Sequence, residues 1–171
     1  LRNETMTDKN NHPVIVAARR TPVGRFLGGL CRVPSPQLGA FAIEAVLADA
    51  SIAPSDVDEC IMGCVLQAGV GQNPARQAAL KAGLPNSISS VTVNKVCGSG
   101  LQSVMQAAQS IKAGDNTIVV AGGMENMSRS PHLVHVRGGI KFGEGALVDH
   151  MQHDGLTCPF EGWGMGCAAE W

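Results

Sequence analysis

The 171-residue chain has no tyrosine, four phenylalanines and two tryptophans. Charged residues make up only 16% of it, and the formal net charge is −1. No basic block runs along it to follow a phosphate backbone, which excludes a nucleic-acid partner. No apolar run approaches the ~20 residues that cross a bilayer, so no membrane partner is expected. The six cysteines, Cys31, Cys60, Cys64, Cys97, Cys158 and Cys167, are too sparse for a secreted disulfide framework. The N-terminal residues LRNETMTDKNNH are polar and lack the apolar core of a secretory leader. A reducing, cytoplasmic setting is the expectation. Asn3-Glu4-Thr5 and Asn126-Met127-Ser128 fit the glycan acceptor pattern, but without a leader no glycan is expected. There are no internal repeats and no low-complexity tracts.

What the chain does have is glycine and small apolar residues. It contains 21 glycines and is 44% hydrophobic, enough for one domain with a real core. Such a composition suits tight turns and close backbone approaches. The low charge also points to buried subunit contacts. Met6 is the expected natural start. The C-terminal GCAAEW stops inside a helix-like pattern without a cap, so the chain is expected to be a fragment.

The most informative stretch is Val91 to Gly114, VTVNKVCGSGLQSVMQAAQSIKAG. It opens as a β-branched strand, Val91 to Val96, and reaches Cys97-Gly98-Ser99-Gly100. It then enters a helical pattern with Leu101, Val104, Met105, Ala108 and Ile111 on one apolar face. Lys112 and Gly114 supply the stop. Cys97 thus falls where a strand hands over to a helix. The unpaired N–H groups of a helix N-terminus favour negative charge nearby. Gly98 and Gly100 allow a ligand or another backbone to come close. The arrangement suits a covalent nucleophile. From the residues alone it equally suits a small buried hydrophobe.

Around this stretch the chain alternates between strand and helix. Pro13 to Ala18 predicts a buried strand, and Arg19 to Gly29 a glycine-rich basic loop. No Gly-Lys-Ser/Thr follows that loop, so it is not a phosphate loop. Ser35-Pro36 starts a helix to about Ala50, with Leu38, Phe41, Ala42, Ala45 and Val46 as its apolar face. Pro54 to Asp58 is a turn. Cys60 to Gly69 reads as a near-continuous apolar strand, Asn73 to Ala82 as a short helix, and Thr117 to Gly122 as a further strand. This rhythm argues for a layered α/β domain with parallel pairing. After Gly123 the chain becomes rich in Gly, Met and His with little periodicity, an ordered excursion that covers a site.

Metal binding is the weaker reading of the other candidates. Cys60 and Cys64 lie four apart in an apparent strand, where core packing is expected. His150, His153, Cys158 and Cys167 match no common zinc spacing, so no metal is expected. His132 and His135 lie in a loop. Met124, Met127, Met151 and Met165 could line an apolar tunnel but suit ordinary packing. A papain-like protease is excluded, because Gly100 and Leu101 stand where its signature needs a cysteine and a tryptophan.

Val93-Asn94-Lys95-Val96-Cys97-Gly98-Ser99-Gly100-Leu101-Gln102 resembles the nucleophile segment of the thiolases, the acyl-CoA acyltransferases. Further motifs are similar to that family in the same order: Arg20 to Gly24, Gly69 to Gln77, Gly122 to Ser128, Asp154 to Thr157 and Gly164 to Gly166. Together they cover about Val14 to Glu170. The resemblance implies a layered α-β-α fold in its N-terminal half. The implied division is a disordered extension over 1–12, an α/β domain over 13–123 and an incomplete loop domain over 124–171.

The resemblance also implies a reaction. Cys97 accepts an acyl group from acyl-CoA, and a second acetyl-CoA then attacks to give acetoacetyl-CoA, or thiolysis runs in reverse. A broad 3-ketoacyl-CoA thiolase of fatty-acid β-oxidation is the alternative, although Leu147 to Thr157 leans toward the short-chain branch. A non-catalytic acyl-CoA or lipid-binding relative is the third reading. CoA thioesters are the implied substrates, no further cofactor is implied, and a homodimer or homotetramer is. Leu156 and Met165 fall where family members line the pantetheine or acyl pocket. Gly164 departs from a histidine found in some short-chain members. The family's activating histidine and second catalytic cysteine belong to its second half. None of His12, His132, His135, His150 or His153 matches that histidine, and neither Cys158 nor Cys167 matches that cysteine. The 171 residues are therefore expected to have little activity alone.

Overall fold

The structure, a computed structural model, describes residues 12–171. The extension expected over 1–12 lies, apart from His12, outside the described residues.

The helix α1 spans Ser35–Ala50. It starts at Pro34 as N-cap, with Ser35 and Pro36 in its first turn, and ends on Ser51 in the left-handed region. A 3₁₀ turn, Pro54–Asp56, leads to strand β1, Glu59–Gly63. Then follow α2 (Pro74–Lys81), β2 (Ser89–Val93), α3 (Ser99–Ala113) and β3 (Val119–Gly123). The three strands form a parallel sheet in the order β2-β1-β3, with Glu59 facing Ser89 on one side and Val119 on the other. The chain crosses from β1 to β2 through α2, then back past β1 to β3 through α3. Two right-handed crossovers in opposite directions put their helices on opposite faces. One face carries α1 and α2 over Cys60, Met62, Val120 and Met124, the main core. The other carries α3.

The two faces are packed by small residues, and this overturns both expected helix faces. In α1 the buried residues are Ser35, Pro36, Gly39, Ala40, Ile43 and Leu47, while Phe41 is exposed. A Cβ on Gly39 would sit 2.7 Å from Met124 Sδ and 3.1 Å from Ala78 Cβ. The helix therefore lies too close to α2 for a large side chain between them. In α3 the buried residues are Ser99, Ser103 and Ala107, and Leu101 is 68% and Met105 45% exposed. Close approach selects for small volume, whereas apolar periodicity ranks residues by size and hydrophobicity.

Strand boundaries also differ from the sequence reading: β2 is Ser89–Val93 and not Val91 to Val96, and β3 is Val119–Gly123 and not Thr117 to Gly122. Pro13 to Ala18 forms no strand. Val14, Ile15 and Val16 are 75%, 79% and 68% exposed and line an apolar cavity of about 220 Å³ beside β3, α1 and α3. A β-branched run supplies only the capacity to pair, and a ladder needs a partner within hydrogen-bond reach. The run from Cys60 stops pairing at Gly63 rather than Gly69. Beyond it, the Val65 and Leu66 N–H groups turn to the Glu125 carboxylate.

The α/β layering ends at Gly123. Beyond it lie a 3₁₀ turn, Met127–Arg129, and the two-residue strands β4 (His132–Leu133) and β5 (Val148–Asp149), paired antiparallel. A π-helical turn, Met151–Leu156, and a short helix, α4 (Met165–Ala169), complete the chain. Among the described residues no helix is long and apolar enough to cross a membrane.

Candidate active site

The strands β1 and β3 both end in glycine, and the first turn of α3 rests on those ends. A Cβ on Gly63 would lie 2.6 Å from the Ser99 carbonyl carbon and 2.7 Å from Gly100 N. A Cβ on Gly123 would lie 3.2 Å from Gly100 Cα. Ser103, fully buried, reaches 2.6 Å to Gly100 O and 2.7 Å to Gly122 O, donating its single hydrogen to one of them. Gly100 thus serves the backbone approach expected of it. The carboxyl ends of parallel strands at a change of crossover direction are where open α/β sheets place ligands.

Cys97 sits just before this helix, with Gly98 as N-cap. Val96 takes φ +48°, a left-handed conformation that a β-branched residue rarely adopts. Polar contacts hold the turn there. The Asn94 side chain accepts the Val96 N–H at 3.0 Å, an Asx-type contact. The Ser99 hydroxyl accepts from Lys95 N–H at 2.8 Å and donates to Val96 O at 2.6 Å. Ser99 is buried and Cys97 is exposed. The strained turn presents the thiol while the hydroxyl two residues later stays inside.

The thiol faces a cavity of about 350 Å³ walled by Leu66, Val96, Met124, Glu125, Met127 and Leu156, among others. The cavity therefore brings Cys97 and Leu156 together. Met165 opens α4 and does not line it. Among the described residues no histidine lines it either. The one carboxylate among the described lining residues, Glu125, accepts from Val65 N–H at 2.8 Å and Leu66 N–H at 3.3 Å, and lies 3.8 Å from the Cys64 sulfur. It fixes the wall instead of serving as a free base.

The other cysteines behave differently. Burial pushes the Cys60 thiol up to about 12, with Glu59 adding to the shift. Burial also pushes Cys64 up to about 12, helped by the Glu125 charge. Neither is a nucleophile at working pH. Among the described residues no three His, Cys, Asp or Glu side chains converge on a metal position.

Polar residues that the sequence left without roles build the frame. Asn73, at φ +40°, caps α2 through Arg76 N–H and reaches Ser90 O at 3.0 Å. Arg76 donates to Ile88 O and Asn86 O, both at 2.8 Å. Asn126 donates to Val33 O at 2.7 Å and Leu30 O at 3.1 Å, tying the turn before α1 to the exit of β3. Ser99 and Glu125 are the site residues that sequence reasoning missed. A serine two positions after the cysteine, and a lone carboxylate in an apolar motif, were the available signals.

The fold defines a parallel α/β domain with a cysteine presented on a strained turn at its carboxyl edge. The thiolase N-terminal domain matches residues 13–171, and the chain belongs to the thiolase family. It is 55% identical over 158 residues to an acetyl-CoA acetyltransferase of Cupriavidus necator, covering 92% of this chain and 40% of that protein. It is 53% identical over 157 residues to the cytosolic acetyl-CoA acetyltransferase of Rattus norvegicus, with the same coverage. A probable acetyl-CoA acyltransferase of Staphylococcus aureus is 54% identical over 158 residues, again covering 92% of this chain and 40% of that protein. The chain thus spans about 40% of the length of the curated relatives it matches.

Proposed function

We propose that the protein containing this chain is an acyl-CoA acyltransferase that works through an acyl-cysteine at Cys97. The carrying observation is an exposed thiol on a strained turn, facing a largely apolar cavity at the mouth of a parallel sheet. The Cys97 sulfur attacks the thioester carbonyl, the carbon–sulfur bond to CoA breaks, and CoA leaves with the thiol proton. The backbone N–H of Cys97 serves one oxyanion position. A second acetyl-CoA loses a methyl proton, and its carbon attacks the acyl carbon. The products are acetoacetyl-CoA and the free Cys97 thiol. Thiolysis is the same path reversed. A cysteine suits this exchange because one thioester replaces another at nearly equal energy.

Leu156 forms the wall beside the acyl group, and Met165 takes a place along the CoA arm. The relatives named as acetyl-CoA acetyltransferases favour the two-carbon reaction. A broader 3-ketoacyl-CoA thiolase is the second reading, favoured by the name acyltransferase on the Staphylococcus aureus relative. No metal or further cofactor enters this chemistry. A cytoplasmic homo-oligomer completes the proposal, the location supported by the rat relative's name.

The test is incubation of the full-length protein with acetyl-CoA and mass analysis of the tryptic peptide that carries Cys97. An acetyl adduct is expected, and Cys97→Ala abolishes it. No adduct on the wild type under any condition refutes the acyltransferase and leaves the non-catalytic binding protein. Among the described residues no histidine lines the cavity, and its carboxylate, Glu125, is engaged by the Val65 and Leu66 N–H groups, so sustained turnover is not expected from this chain alone.

A further inference from the structure

Outside the cavity lies a line of polar side chains that the acyl-transfer chemistry does not use. His150 is only 4% exposed. Its Nδ1 is 2.8 Å from Ser130 Oγ, and its Nε2 is 3.1 Å from Asp154 Oδ2. The other Asp154 oxygen meets His153 Nδ1 at 2.7 Å. With a neutral ring, Nε2–H donates to Asp154 and Nδ1 accepts the Ser130 hydroxyl. Backbone contacts extend the tie. The His150 N–H donates to Pro131 O at 3.2 Å, and the Asp149 carboxylate accepts the Met151 N–H at 2.9 Å.

The tie has a mechanical consequence. Ser130 belongs to the segment leaving β3, while Asp154 lies within the π-helical turn Met151–Leu156. The imidazole joins the two. π turns are rare and are found disproportionately at functional sites. The far end of this turn, Gly155 and Leu156, walls the cavity of Cys97. A Cβ on Gly155 would lie 3.2 Å from Leu66 Cδ2, so Gly155 and Leu66 are in close contact. Leu66 is itself fixed by Glu125. One side of the wall is pinned by Glu125 and the other by His150.

We propose that Ser130, His150 and Asp154 form a clamp that sets how far the Gly155–Leu156 wall stands from Cys97, and so which acyl chains fit. This rests on the acyl-transfer reading of Cys97. Neither Ser130 nor His150 lines the cavity, so both act through the wall and are positioning residues. An intact clamp holds the wall in and favours short acyl groups. A broken clamp lets the turn retreat, admits longer chains and loosens the hold on short ones.

The test measures acylation of Cys97 in the full-length protein by acetyl-CoA and by hexanoyl-CoA, as rate against concentration. Wild type is compared with Ser130→Ala, His150→Leu and His150→Gln. The acetyl-over-hexanoyl preference should fall about fivefold or more in Ser130→Ala and His150→Leu, through half-saturation and not maximal rate. Alkylation of Cys97 by iodoacetamide should stay within about twofold of wild type. His150→Gln, which can still donate to Asp154 and accept from Ser130, should restore most of the preference. An unchanged preference in Ser130→Ala and His150→Leu, even with lowered thermal stability, overturns the clamp alone. A fall in maximal rate with half-saturation unchanged also overturns it. If wild type forms no acyl adduct, the acyltransferase reading fails and the clamp with it. If His150→Leu does not fold, Ser130→Ala, which removes one hydroxyl, decides the question.

Discussion

A single methyl group at Gly63 should disable the presentation of Cys97. In Gly63→Ala the new Cβ would stand 2.6 Å from the Ser99 carbonyl carbon, 2.7 Å from Gly100 N and 2.7 Å from Ser99 Cβ. The first two of these are backbone atoms, so no side chain can swing away to make room. To reach ordinary contact at 3.4 Å, the first turn of α3 must retreat by about 0.8 Å. The cost of such overpacking is about 1–3 kcal/mol, which for a chain of this size lowers the melting temperature by about 2–4 °C per kcal/mol. The functional cost is larger. Cys97 hangs on the turn that this helix anchors through Ser99, and a ~1 Å misplacement of a reacting group costs about 10²-fold. Thermal unfolding and the rate of Cys97 acylation by acetyl-CoA check both effects. Gly29→Ala is the control, because nothing lies within 4 Å of the Cβ position there and its stability should change by less than about 0.5 kcal/mol. Wild-type stability and acylation in Gly63→Ala would refute the claim that the glycine strand ends seat the nucleophile helix.

Three further outcomes follow from the same geometry. Ser99→Ala removes both hydrogen bonds of the hydroxyl, from Lys95 N–H and to Val96 O, and with them the hold on the strained Val96, so stability should fall by about 1–3 kcal/mol, read by urea unfolding. Acylation of Cys97 should slow with it, and a variant of wild-type stability would sink this role for the hydroxyl. Under native conditions iodoacetamide should label the exposed Cys97 and Cys167 but spare Cys60 and Cys64, whose thiols burial keeps protonated up to about 12; peptide mapping that finds Cys64 labelled as fast as Cys97 contradicts this. The Asp58 carboxyl is held below its ordinary 3.8 because it accepts the Ile118 and Thr117 N–H groups. A lowered folded value adds stability above pH 3.8 that is lost as the pH falls through it. Asp58 is exposed, so the effect is small. The stability gap between wild type and Asp58→Asn should therefore be present at pH 7 and close below about pH 4.

Much of the site was legible because its signals are local. Position 97 between a β-branched run and a helical run, and Gly114 closing that helix, follow from backbone preferences that neighbouring residues set. Helix α1 begins at Ser35-Pro36 for the same reason, although Pro34 and not Ser35 is the cap and the serine makes no capping bond. The motif Gly122 to Ser128 marked a family resemblance without revealing what its residues do. Glu125 and Asn126 act on residues about sixty and ninety-five positions away, a distance no local pattern encodes.

The sequence by itself determined the order of strand and helix from Ser35 to Gly123, the place of the candidate nucleophile and the family, because each rests on local preference or on a string of residues. Only the tertiary structure decided which faces are buried. Leu101 and Met105 face outward and Ser99, Ser103 and Ala107 inward, because α3 comes down on Gly63 and Gly123 too closely for anything larger. Only the folded chain, likewise, set Leu156 in the wall of the Cys97 cavity and brought Ser130 to His150, since those contacts join segments separated along the chain. The 13–18 run shows the converse: it has strand chemistry but no strand, because pairing is a property of two segments and not of one.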